Sequence, residues 1–168
     1  SFADTAQLRR INIPNTIKNF STKAIINTPS LRRIMYESND EFVVMSDRSV
    51  YKKDRTLIFV PRNIHHFKVV KQCAIIESGA FCGPDLEAIA FTDDESLVMI
   101  KRCAFAHCTN IKSLTFPKSL KFLGSEAFCG CTNLETVNLD PESELFTIPK
   151  FCFAFSGLTS ITLPASVE

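Results

Sequence analysis

Apolar positions recur along this chain in a fixed sentence. Between Ile111 and Gly130 they fall at Ile111, Leu114, Phe116, Leu120, Leu123 and the pair Ala127-Phe128, and Leu134 restarts the series 23 residues on. Leu8, Ile11, Ile13, Ile17, Phe20 and Ala24-Ile25 follow the same spacing, and Leu31 again restarts it after 23. Leu86, Ile89, Phe91, Ile100 and Ala104-Phe105 make a unit of 25, and Leu134, Val137, Leu139, Ile148 and Cys152-Phe153 one of 24. Leu158, Ile161, Leu163 and Val167 begin a further copy. A period of this length belongs to a stack of similar units, each burying its apolar side against its neighbours. The functional question therefore moves from a catalytic pocket to an extended surface.

Within a unit, L-x-x-I-x-L is short and alternates at its end, which predicts a strand with one apolar face. Pro14, Pro117 and Pro164 follow that strand and end it, because proline has no N–H for a ladder. Where those prolines are missing, Thr92-Asp93-Asp94-Glu95-Ser96 and Asp140-Pro141-Glu142-Ser143-Glu144 supply acidic loops, and longer surface loops cost little. The later aliphatic residue always precedes the Phe position by five, so that half of the unit is packed. Stacking then predicts a column of Ala24, Ala80, Ala104 and Ala127 beside a column of Ile25, Phe81, Phe105, Phe128 and Phe153. The chain has 15 Phe and no Trp, which suits a ladder built from one ring size.

Residues 37–75 break the rhythm. Phe42-Val43-Val44, Val50-Tyr51 and Leu57-Ile58-Phe59-Val60 alternate with the polar turns Ser46-Asp47-Arg48-Ser49 and Lys52-Lys53-Asp54-Arg55. This predicts a β-hairpin or small meander inserted in the stack, since so short a stretch seldom holds a core of its own. The whole of 1–168 is accordingly read as one repeat domain carrying a variant repeat at about 37–75.

Ile76-x-x-x-Ala80-Phe81, Ile100-x-x-x-Ala104-Phe105-x-x-Cys108-x-Asn110-Ile111 and Leu123-Gly124-x-x-Ala127-Phe128-x-x-Cys131-Thr132-Asn133-Leu134 resemble the BspA-like, Treponema-type leucine-rich repeats. The insert, with Phe42, Val50-Tyr51, Leu57-Ile58 and Pro61, resembles a variant unit of that family's protist members. The resemblance implies a right-handed, β-rich solenoid of the α/β class. It would have a parallel sheet on its concave face, short helical or irregular convex segments, and here one β-hairpin insert. It further implies a cell-surface or extracellular protein that adheres to host cells, matrix or other microbes. Cys152 in place of Ala and Ile25 in place of Phe depart from the pattern.

The surface of the predicted strands narrows the search for a site. The third and fifth positions of L-x-x-I-x-L should face solvent. They are Arg10, Arg33, Ala88, Ser113, Thr136 and Ser160, and Asn12, Met35, Ala90, Thr115, Asn138 and Thr162. Leu8-Arg9-Arg10-Ile11 and Leu31-Arg32-Arg33-Ile34 duplicate a basic pair, so one end is basic and the other small and hydroxyl-rich. Arg10, Asn12, Arg33, Met35, Ser113, Thr115, Thr136 and Asn138 form the candidate binding surface, either a plain solvated face or a contact patch for an acidic protein or a sulfated glycan.

Rival chemistry is thin. Net charge is +1, which predicts no bulk attraction to nucleic acid or anionic membrane. No apolar run reaches membrane-spanning length. The seven cysteines sit at positions set by the repeat, as small buried packing residues do. Cys108 and Cys131 would stack one strand spacing apart, within reach of a disulfide. Cys129-Gly130-Cys131 has the wrong spacing for zinc. His65-His66 and His107 complete no catalytic set with a neighbouring thiol, and the five Gly form no phosphate-cradling loop. The chain is thus expected to be no enzyme and to need no cofactor, with an intracellular recognition scaffold as the first alternative to adhesion and a metal or thiol-dependent protein as the last. It opens at Ser1 and stops inside a repeat at Glu168, which reads as a piece of a longer chain whose signal and anchor lie elsewhere. The sequon Asn19-Phe20-Ser21 matters only if that chain is secreted.

Overall fold

A computed structural model describes residues 1–17, 20–37, 41–92 and 96–168. Among these residues twelve strands follow in order: β1 Arg10–Ile13, β2 Arg33–Tyr36, β3 Phe42–Val44, β4 Val50–Lys52, β5 Leu57–Phe59, β6 His66–Lys68, β7 Ile75–Ile76, β8 Ala88–Ala90, β9 Met99–Ile100, β10 Ser113–Thr115, β11 Phe122–Leu123 and β12 Thr136–Asn138. One short 3-10 helix, Thr22–Ile25, is the only helix among the described residues. The coils form a β-solenoid of about five turns.

Three sets of backbone bonds join one coil to the next. The L-x-x-I-x-L segments pair in parallel as β1–β2, β6–β8 and β10–β12. A second row, β11-β9-β7-β5, also pairs in parallel. The third set lies at the Ala–Phe turns, where Phe81 N–H donates to Ala104 O, Phe105 N–H to Ala127 O and Phe128 N–H to Cys152 O, each at 2.8 Å. The second row goes beyond the single sheet expected. Its strands are only two or three residues long, too short for alternation to show in a sequence.

The interior is the predicted ladder. Phe81 stacks on Phe105 at 4.4 Å, Phe105 on Phe128 at 4.9 Å, and Phe128 on Phe153 at 5.4 Å, with planes 10–13° apart. Ala80, Ala104 and Ala127 are fully buried beside them. The column is shorter than expected at its start. Ile25 packs in a separate cluster with Ile11, Leu31, Ile34 and Phe59. In the coil between, Val60 N–H donates to Ala80 O as Phe81 does to Ala104, so Val60 takes the Phe position and Phe59 the Ala position.

Arg62 accommodates this irregular joint. The guanidinium is buried and stands 5.2 Å over the Phe59 ring. Its Nη1 donates to Ala80 O at 2.5 Å and Nη2 to Gly79 O at 2.7 Å. Its Nε has no hydrogen-bond partner among the described residues. Removal from water lowers its pKa from the ordinary arginine value.

The insert is the expected meander. β3 pairs antiparallel with β4, and β4 with β5, which then joins β7 in parallel. Both turns are tied by aspartate: Asp47 Oδ1 accepts from Ser49 N–H at 2.8 Å, and Asp54 Oδ1 from Thr56 N–H at 2.9 Å. The acidic loop at 93–95 and the sequon at Asn19 lie outside the described residues.

Candidate interaction surface

The strand face carries every predicted site residue, but in two patches. Arg10, Asn12 and Arg33 are exposed and Met35 is half-buried on β1 and β2. Ser113, Thr115, Thr136 and Asn138 are exposed on β10 and β12. The alternation that exposes them buries Ile11, Ile34, Leu114 and Val137 on the other side, as a pleated strand requires.

Register decides what each patch presents. Arg10 lies opposite Arg33 and Asn12 opposite Met35. Two like charges directly across a strand pair disfavour folding, so the basic pair is not there for stability. At the far end Ser113 faces Thr136 and Thr115 faces Asn138, whose Nδ2 donates to Thr115 Oγ1 at 3.1 Å. That end is a neutral row of hydroxyls and amides.

Between them lies β6–β8, with His66 opposite Ala88 and Lys68 opposite Ala90. His66 and Lys68 are exposed members of the same face that the strand reading overlooked. The signal was present: Ile64-x-x-Phe67-x-Val69 has the spacing of the repeat, although the insert hides its start. Glu87 holds this middle section, its Oε1 lying 3.0 Å from His65 Nδ1 and its Oε2 3.9 Å from His66 Nε2. β8 and β10 adjoin without sharing a sheet. A groove of about 650 Å³ opens there, lined by Ala88, Ile89, Asn110, Lys112, Ser113 and Asn133 among others.

The thiols are built for packing. All seven cysteines are free, and all but Cys129 are buried. Cys108 Sγ reaches Phe81 O at 3.8 Å and Cys131 Sγ reaches Phe105 O at 3.2 Å, each a contact with the preceding coil. Burial pushes the Cys103 thiol up to about 11 and those of Cys131 and Cys152 up to about 12, and Cys108 well above the usual range. Thiols held protonated are poor nucleophiles and poor metal ligands. Among the described residues no group of three His, Cys, Asp or Glu side chains converges as a metal site. No helix among them is long and apolar enough to cross a membrane.

The profile of the BspA-type leucine-rich repeat region matches residues 1–68 and 55–168, with six copies. The chain belongs to the BspA-type leucine-rich repeat family. Solved structures agree on the fold. A leucine-rich repeat protein from Eubacterium ventriosum superposes with a TM-score of 0.76 at 22% identity, over 85% of this chain and 38% of its own. A leucine-rich cell surface protein from Faecalibacterium prausnitzii gives 0.62 at 24% identity, over 92% and 49%. The pneumococcal vaccine antigen PcpA gives 0.61 at 20%, over 95% and 50%. The chain thus spans half the length of these proteins or less. No curated protein matches it.

Proposed function

We propose that this BspA-type repeat segment is an interaction module of a cell-surface protein, binding host or microbial surface partners through its strand face. The observation that carries the reading is the Arg10–Arg33 pair held side by side in register. With Arg9 and Arg32 alongside, it concentrates positive charge at one end of an exposed ladder. Such a patch suits a sulfated glycan or an acidic protein and speeds encounter at low salt. Membership of the family supports the setting, and so does the structural neighbour described as a cell surface protein. In this reading the chain is not an enzyme and needs no cofactor, since the work is done by a surface.

A second reading, an intracellular recognition scaffold of the same fold, is favoured by the seven free cysteines, because secreted chains generally pair theirs. Mass analysis of native material for a glycan at Asn19 separates the two readings. The adhesion reading is tested on immobilised heparin, used as a sulfated-glycan probe, across a salt series. Binding should weaken steeply with salt and fall by about tenfold or more in Arg10→Ser/Arg33→Ser. Equal binding by that variant at low salt would overturn the basic-patch reading.

A further inference from the structure

A second surface, adjoining the strand face at Arg33 and Met35, lies at the end of the second row. β3 is the terminal strand of the six-stranded sheet, and its other edge carries no partner strand among the described residues. The register shows which groups stand open there. Met45 N–H bonds Ser49 O and Lys53 N–H bonds Glu41 O, so the bonded positions of β3 alternate through Val43. The N–H and C=O of Phe42 and Val44 therefore point away from β4, towards the open edge.

Natural edge strands are usually blunted by charge, proline or a bulge. None interrupts Phe42-Val43-Val44. Val43 and Val44 are 43% and 48% exposed, and they face two separate grooves. Val43 and Met45 line one of about 390 Å³ with Tyr51 and Val70. Its charged lining residues are Lys52, Lys53, Arg55 and Lys71, with no carboxylate among them. Val44 lines the other, of about 340 Å³, with Arg33, Arg48 and Glu37. The nearby Asp47 and Asp54 carboxylates are turned into their own loops, and of the groove's cations Lys52 has its Nζ 4.0 Å from Glu77 Oε1.

We propose that the open edge of β3 receives an extended acidic segment of another protein as an added strand. Backbone pairing to Phe42 and Val44 supplies the register. Small apolar side chains of the guest meet Val43 and Val44, and its carboxylates meet the lysines and arginines on either flank. A second copy of this chain is a poor guest, because pairing β3 with β3 would bring the same cations together.

The probe is a fluorescein-labelled, end-capped peptide repeating Glu-Glu-Val-Val, which offers Val and Glu on both strand faces, followed by anisotropy with the whole chain. Binding is expected for this peptide and not for its Lys-Lys-Val-Val counterpart. Val44→Pro removes an outward N–H and leaves the β3–β4 bonds intact, so it should lose about tenfold in affinity with its thermal midpoint unchanged. If that variant fails to fold, the same peptide N-methylated at alternate residues tests the same bonds, with the same loss expected. Arg55→Glu/Lys71→Glu should lose binding as well. No binding of the acidic peptide, equal binding of the basic one, or indifference to both Val44→Pro and N-methylation overturns the proposal. So does sedimentation showing that the chain pairs with itself through β3.

Discussion

The rings of Phe105 and Phe128 stand parallel, 4.9 Å between centroids and 10° between planes. They belong to successive coils joined at the same point by the Phe105 N–H to Ala127 O bond of 2.8 Å. One contact thus fixes both the rise between coils and their rotation. Neither ring has a packed environment in a single coil, so the contact is also what makes the repeats cooperative.

Phe105→Ala should therefore cost about 3–5 kcal/mol, as truncation of a buried ring generally does. Phe155→Ala, at an exposed ring two coils further on, should change stability little. Urea denaturation of the two variants checks both; equal losses would mean that the ladder does not hold the stack.

The buried thiols predict a one-sided pH dependence. Below about pH 9 both the folded and unfolded chains keep these protons, and the thiols contribute no slope. Between about 9 and 12 the unfolded chain releases them while Cys131 and Cys152, pushed up to about 12, do not. Stability should then fall as pH rises, by up to ~1.4 kcal/mol per pH unit for each thiol. Denaturation midpoints at pH 8 to 11 measure it. A thiol-specific reagent added at neutral pH should find Cys129 first, because the other six are buried.

Gly124 marks where two coils touch through backbone. A Cβ there would lie 2.3 Å from Arg102 N and 2.5 Å from Lys101 C. Gly124→Ala should cost roughly 1–3 kcal/mol, since backbone must move to admit it. Gly83→Ala has side-chain atoms of Arg62 as its nearest neighbours, the first at 3.2 Å, and no backbone that close, and should cost less. Thermal unfolding of the pair gives the comparison.

The ladder was legible because a spacing of five between aliphatic and aromatic positions survives the changes in unit length outside the insert. The exposed strand positions were legible from alternation alone, and Arg10, Thr115 and Asn138 lie where it puts them. What escaped lies around the insert. Phe59 and Val60 reverse the small–large order of Ala80-Phe81, so no pattern match finds them. Arg62 reads as a surface cation and is buried, because the carbonyls of Gly79 and Ala80 converge on it only after the coils stack. His66 and Lys68 were missed because the insert displaces the start of their unit. The split of the strand face into three pairs is a property of pairing geometry, which a single strand's residues do not encode.

The central proposal is that the stacked interior holds the shape while the exposed strand positions do the binding. The direct test is adhesion to intact epithelial cells by a variant with Arg10, Asn12, Arg33, Met35, Ser113, Thr115, Thr136 and Asn138 all changed to alanine, its thermal midpoint recorded on the same sample. The account predicts lost adhesion at a nearly unchanged midpoint. Adhesion that persists in this variant, or that declines only as far as the fold itself is lost, would contradict it.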